Sequence, residues 1–305
     1  MTKLLSNRRT FMKYALGGMA LSAGFASRGF AQGASEVTPI GDNLFIIRVP
    51  GEETVVAHTD TDGVLLIDGG SAKGSSAVLQ AAKNLPGGGD VHTLFNTHWH
   101  PEQTGSNETL GKAGATIIAQ ENTRLWLTQD ITWPWNGRKF HKLPKIAQPN
   151  KSFFDEGELP SGIRYGWISD AAHTDGDLYV YFPQQNVMAV GGAARGKGWP
   201  VVDWWTGGWI GGIVGGLQRI QSIGNDDTKF VPAVGPVLSY TDIDQQVEMY
   251  GNLYDTLNRM LNKGRSPAEA VQEGVGMEYE AKMGNPSEFV TRSFESLWAY
   301  LSPDA

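Results

Sequence analysis

Asn96-Thr97-His98-Trp99-His100-Pro101-Glu102-Gln103-Thr104-Gly105-Ser106-Asn107 is the stretch from which the rest of the chain can be read. It follows Thr93-Leu94-Phe95, a β-branched and aromatic run that predicts a strand ending at Asn96. In extended backbone, residues i and i+2 point to the same side, so the imidazoles of His98 and His100 can converge on one ion. A third histidine, His173, comes soon after another predicted strand, 164–168. Three imidazoles with one position left open form the ligand set of a catalytic zinc ion: three protein donors and a water. Histidine is scarce, six in 305 residues, so three of them in two post-strand loops is a concentrated signal. His58, His92 and His141 lie outside the pattern and read as ordinary surface or part-buried residues. Cysteine is absent, which excludes thiolate ligands, disulfides and a cysteine nucleophile together.

Outward from this stretch, strand and helix signals follow one another through two similar halves. Short β-rich runs occupy 44–48, 54–57 and 64–68, and a helical pattern over 75–84 stops at Pro86-Gly87-Gly88-Gly89. A helix near 106–112 and a strand at 116–119 complete the first half. The second half shows strands at 164–168, 178–182 and 187–190, then helices at 208–223, 240–261, 267–274 and 286–301. Such an order predicts an α/β fold in which two sheets pack together with helices outside. Between the halves, 131–141 has no periodicity and holds Trp133, Trp135 and Phe140. That segment is either a loop lining a cleft or a surface loop tucking its tryptophans onto the domain. The glycine-rich run 207–216 is too short to span a membrane, so it reads as a helix packed closely through small residues.

The N-terminus reads as an address. Arg8-Arg9-Thr10-Phe11-Met12-Lys13 precedes a short apolar run, and small residues lead up to Ala31. A basic head, an apolar stretch and a small-residue cleavage point describe a secretory signal peptide, here over residues 1–31. The paired arginines resemble the twin-arginine export signal. The expected location of the mature chain, 32–305, is the periplasm. Residues 1–31 carry five positive charges and no acid, and the remainder holds 20 basic against 32 acidic residues, a net charge of −12. Such a surface repels nucleic acid and anionic lipid, and leaves a small-molecule substrate as the expected partner. Oligomeric state is not written in the sequence.

The motifs taken together resemble the metallo-β-lactamase superfamily. Residues 96–107 are similar to its signature loop, His-x-His-x-Asp-His, and Ala172-His173-Thr174-Asp175-Gly176-Asp177 to its second metal loop. Val64 to Gly70 matches its buried strand ending in Asp-Gly-Gly. Phe230 to Val237 matches its last loop, and the order holds over roughly residues 38–240. The resemblance implies an αββα sandwich with the site at one edge. It also implies a complete first metal site in His98, His100 and His173, binding one Zn2+. The positions it gives to the second site are Glu102, Gln103, Gly192 and Val234, of which glycine and valine cannot ligate. Glu102, one methylene longer than the usual aspartate, is expected to act as a general base towards the zinc-bound water, the alternative being an acid beside the metal that orients a histidine N–H. Asp68, Asp177 and Asp203 are expected to hold loops through backbone N–H groups. The function implied is an exported single-zinc hydrolase of an ester, lactone, amide or similar bond. The rival from another class is a non-hydrolytic periplasmic binding or accessory protein on the same fold.

Overall fold

A strand covered on both faces must be apolar at every position, whereas an edge strand need not be. The computed structural model, which describes residues 35–168 and 171–301, follows that division. The expected leader over 1–31 lies outside the described residues. The first sheet has seven strands: β1 (Glu36–Gly41), β2 (Leu44–Arg48), β3 (Val55–Asp60), β4 (Gly63–Ile67), β5 (Val91–Asn96), β6 (Thr116–Gln120) and β9 (Lys151–Phe153). They lie side by side in that order, β1 to β4 antiparallel and β4, β5, β6 and β9 parallel. Strands β7 (Ile131–Thr132) and β8 (Lys139–Phe140) form a separate small hairpin. The second sheet runs β10 (Glu156–Glu158), β11 (Arg164–Trp167), β12 (Leu178–Phe182), β13 (Val187–Gly191) and β14 (Lys229–Pro232).

Alternation along each strand separates two layers of core. Leu44, Ile46, Leu65 and Ile67 face inward and meet Leu178, Val180, Phe182 and Ala189 of the opposite sheet. Their neighbours Phe45, Ile47, Val64 and Leu66 face outward, onto Val78, Ala81 and Ala82 of α1 (Ser75–Lys83). On the other outer face Tyr179, Tyr181, Met188 and Val190 are covered by the helices of the second half. The architecture is therefore the αββα sandwich expected from the sequence.

The helices of the first half continue with α2 (Pro101–Thr104), α3 (Asn107–Lys112) and α4 (Glu121–Trp126). Those of the second are α5 (Ile210–Ile223), α6 (Tyr240–Asn262), α7 (Pro267–Gln272), α8 (Glu280–Met283) and α9 (Ser287–Leu301). The expected helices at 240–261 and 286–301 fall within a residue of α6 and α9. Among the described residues no helix is long and apolar enough to cross a membrane. The glycine run instead begins α5, where a Cβ on Gly212 would stand 1.6 Å from the carbonyl oxygen of Ala171. Hydrogen at that position is what lets α5 lie directly on the loop that carries His173.

Candidate metal centre

The stretch that opens the sequence reading is a closed loop. Its first and last residues, Asn96 and Asn107, are fully buried and exchange reciprocal amide hydrogen bonds of 2.8 and 3.0 Å. Inside the loop, α2 is stitched to the Asp68-Gly69-Gly70 turn after β4: Gly69 N–H donates to Gln103 O, and Gly105 N–H to Gly70 O. Pro101 opens α2 at a position where a missing N–H costs nothing. These bonds place His98 and His100 at the end of β5, and Leu178 N–H, donating to Thr97 O, ties that end to the second sheet.

The structure brings the three expected histidines together. One ligand atom from each of His98, His100 and His173 lies within 4.8 Å of the other two, and all three side chains are buried. Each ring is held from behind by a different acceptor. The Thr97 hydroxyl stands 3.0 Å from His98 Nδ1 and 2.8 Å from Asp68 Oδ2; with Asp68 ionised it donates to that carboxylate and accepts from the ring nitrogen. His173 Nδ1 faces Asp177 Oδ2 at 2.8 Å, and His100 Nε2 faces Asp203 Oδ2 at 3.0 Å. A carboxylate only accepts, so these contacts assign the ring protons: Nδ1–H on His98 and His173, Nε2–H on His100. The remaining lone pairs, Nε2 of His98 and His173 and Nδ1 of His100, are the free donors of the cluster. Burial, then the proximity of His173, His100 and the Arg195 guanidinium, hold the His98 imidazole well below its ordinary value, so it is neutral and able to ligate. The donor set fits a zinc ion: nitrogen ligands, correct tautomers and no competing proton.

The three aspartates do more than hold loops. Asp177 accepts the N–H groups of His173 and Thr174 as well as the His173 ring. Asp203 is fully buried; its carboxylate takes His100 and the Trp133 indole, while its own N–H donates to the His173 carbonyl. One residue thus positions two ligands from different halves of the chain. The His173-to-Asp177 spacing was a signal for the first partnership. Nothing local in the sequence marks Asp203, because its partners are 103 and 70 residues away.

Of Glu102 and the second-site positions, Gly192 lies directly against the cluster. Glu102 is part-exposed, with Oε1 3.3 Å from the Arg138 guanidinium of the 131–141 segment, and is not among the groups gathered at ligand distance. Gln103 is buried; its Nε2 donates to Glu53, and its Oε1 has no partner. Glu53 is in turn 4.0 Å from Nη1 of Arg195. A Cβ on Gly192 would fall 2.3 Å from His173 Nε2, so any side chain there would displace the ligand. Val234 lines an open cleft of about 770 Å³ together with Arg48, Glu52, Glu53 and Thr54. Glu53 and Arg195 escaped the sequence reading, since neither belongs to a motif.

The 131–141 segment does both things its composition suggested. Trp133 packs edge-on against His100 at 5.5 Å between ring centres, and Trp99, Trp133 and Phe140 form one cluster. Arg138 lies over the Trp133 and Phe140 rings. The segment is a wall of the histidine cluster, anchored by its own aromatic core.

Two packed sheets with helices outside, and a buried three-histidine cluster at their loop edge, define the metallo-β-lactamase type of αββα sandwich. The model of the metallo-β-lactamase superfamily matches residues 51–242, and the chain belongs to that superfamily. Solved structures share the fold at low identity. The DIM-1 metallo-β-lactamase is 14% identical with a TM-score of 0.57, over 72% of this chain and 98% of that one. A metallo-β-lactamase from Pontibacter korlensis is 19% identical with a TM-score of 0.56, over 72% and 99%. One from Hirschia baltica is 13% identical with a TM-score of 0.57, over 72% and 98%.

Proposed function

We propose that this protein is a hydrolase of small-molecule esters, lactones, amides or related bonds, working with a single zinc ion held by His98, His100 and His173. The observation that carries the reading is the set of contacts behind the three imidazole rings. Three buried acceptors, Thr97, Asp203 and Asp177, each take the proton from the far side of an imidazole and leave its other nitrogen facing the cluster. A purely structural histidine cluster has no need of that consistency. When bound, the ion supplies Lewis-acid polarisation of a carbonyl and lowers the pKa of a water.

The chain's own groups supply the rest. Trp133 and Trp99 exclude water from the flank of His100, which strengthens every charge interaction there. The Arg195 guanidinium places a fixed positive charge near His98, where negative charge develops on a substrate oxygen. A cleft of about 770 Å³ runs beside Val234 and Glu53, and none of the three histidines lines it.

Elemental analysis of the purified protein, paired with an ester, lactone and β-lactam panel, tests the reading. One zinc per chain with turnover of a panel member is the expected result. Two equivalents would overturn the single-ion mechanism. Zinc bound with no turnover would favour the binding or accessory role, for which the unusual residues at Gln103 and Val234 are the supporting observation.

A further inference from the structure

We infer that Glu53, rather than Glu102, is the carboxylate that accepts the proton of the attacking water. The inference rests on the hydrolase reading above and names its missing base. Glu102 has the right place in the motif, but it is part-exposed and faces Arg138 of the 131–141 wall at 3.3 Å, whereas Glu53 is tied by Gln103 to the metal loop itself. Glu53 comes from outside the motif. Its neighbour Glu52 accepts from Ser71 N–H at 2.7 Å and Ser71 Oγ at 2.9 Å, and Thr54 N–H donates to Ala233 O at 2.8 Å. The short loop is therefore clamped on both sides of Glu53 and holds it in one place. From there one carboxylate oxygen takes Gln103 Nε2, inside the metal loop, and the other faces Arg195.

Three features make this a working site rather than a loop tie. Gln103 belongs to the metal loop, three residues after His100, and Glu53 is hydrogen-bonded to its side-chain amide, so a carboxylate is tied to that loop from outside it. Gln103 Oε1 and Arg195 Nε, one acceptor and one donor, are buried without partners, which is costly unless a bound water or substrate satisfies them. Glu53 also borders the open cleft, with only a quarter of its side chain exposed. Arg195 faces it at 4.0 Å, Arg48 and Glu52 border the same cleft, and Asp68 feels its charge.

In the step, the water's O–H proton passes to Glu53 as the water oxygen bonds to the substrate's carbonyl carbon. When the bond from that carbon to oxygen or nitrogen breaks, the same proton goes to the leaving atom. The products are the acid and the alcohol or amine, and no oxidant or reductant is required.

The test compares zinc-loaded wild type, Glu53→Gln, Glu53→Asp and Glu102→Gln on p-nitrophenyl acetate and the lactone and β-lactam panel. Glu53→Gln should lower kcat by about 100-fold or more, erase the acid limb of the pH profile and leave zinc content unchanged. Glu53→Asp should recover part of the rate, and Glu102→Gln should lose less than Glu53→Gln. A kcat for Glu53→Gln within about threefold of wild type, or a larger loss in Glu102→Gln, overturns the inference. A second readout is independent of turnover: the visible bands of the cobalt(II)-loaded protein, titrated with acid. Glu53→Gln should remove or shift their transition. If wild type hydrolyses nothing on the panel, the hydrolase reading fails by itself. A cobalt transition untouched by Glu53→Gln then overturns the assignment of Glu53 as well.

Discussion

Asp68 sits at a positive φ of 63°, a conformation that a non-glycine residue holds only when its surroundings fasten it. Here both carboxyl oxygens are fastened by Thr97, one to its N–H and one to its hydroxyl. Burial pushes this carboxyl up to about 8, against the pull of those Thr97 bonds and with help from the charges of Glu53 and Asp177. Raised above its ordinary 3.8, the group contributes stability to the metal-free protein that is fully present below that value and lost as pH rises through about 8. Zinc binding runs the opposite way. Ligation through His98 Nε2 needs a proton on Nδ1, a Thr97 oxygen that accepts it, and an ionised Asp68 beyond. Zinc affinity should therefore rise from about pH 6 to about pH 8, with a proton released on loading. Calorimetric titration in buffers of different ionisation enthalpy measures that proton; a pH-independent affinity would rule out the relay. Asp68→Asn should flatten the dependence. At this scale His98 and His100 were legible because their spacing is local, and His173 because it sits in a second loop of the same motif set. Asp203 and Glu53 were not, because what they do depends on residues far along the chain.

Helix α5 shows how an element can be set by what it must touch. Gly212 meets the Ala171 carbonyl and Gly216 meets Ile168 and Ala172, while Gly215 on the same helix has nothing within 4 Å. Gly212→Val should cost about 1–3 kcal/mol in denaturant melts by forcing the helix off its loop. It should also weaken zinc binding, since that loop carries His173. Gly215→Ala should instead be neutral or stabilise by up to about 1 kcal/mol, because only helix propensity changes there. Equal melts for the two variants would mean that the close approach does not matter. Strands with partners on both sides, β2, β4, β12 and β13, were legible as apolar runs. The edge strands β1, β9 and β10 were missed: Glu156-Gly157-Glu158 carries no apolar residue, and Pro39 interrupts β1. An edge strand has one neighbour and an exposed flank, so its sequence need not show the pattern.

For the whole molecule, the question is whether zinc holds the fold or the fold holds zinc. Three apolar layers are built without reference to the histidines, and each fully buried Leu, Ile, Val or Phe contributes about 1.5–3 kcal/mol of transfer free energy. His98→Ala should therefore lose zinc yet keep its native circular dichroism and a cooperative melt. A chain that unfolds on this change would make the ion structural, as in a zinc finger. The sequence by itself determined two packed sheets with helices outside, because hydrophobic period is a property of neighbouring residues, and its motifs, through their family resemblance, marked the three histidines that cluster. Only the tertiary structure decided which nitrogen of each ring is free, what stands behind it, and that Glu53 meets both Gln103 and Arg195. Those facts depend on loops from β2, β5, β11, β13 and β14 ending at one edge, and no local pattern records which loops will meet there.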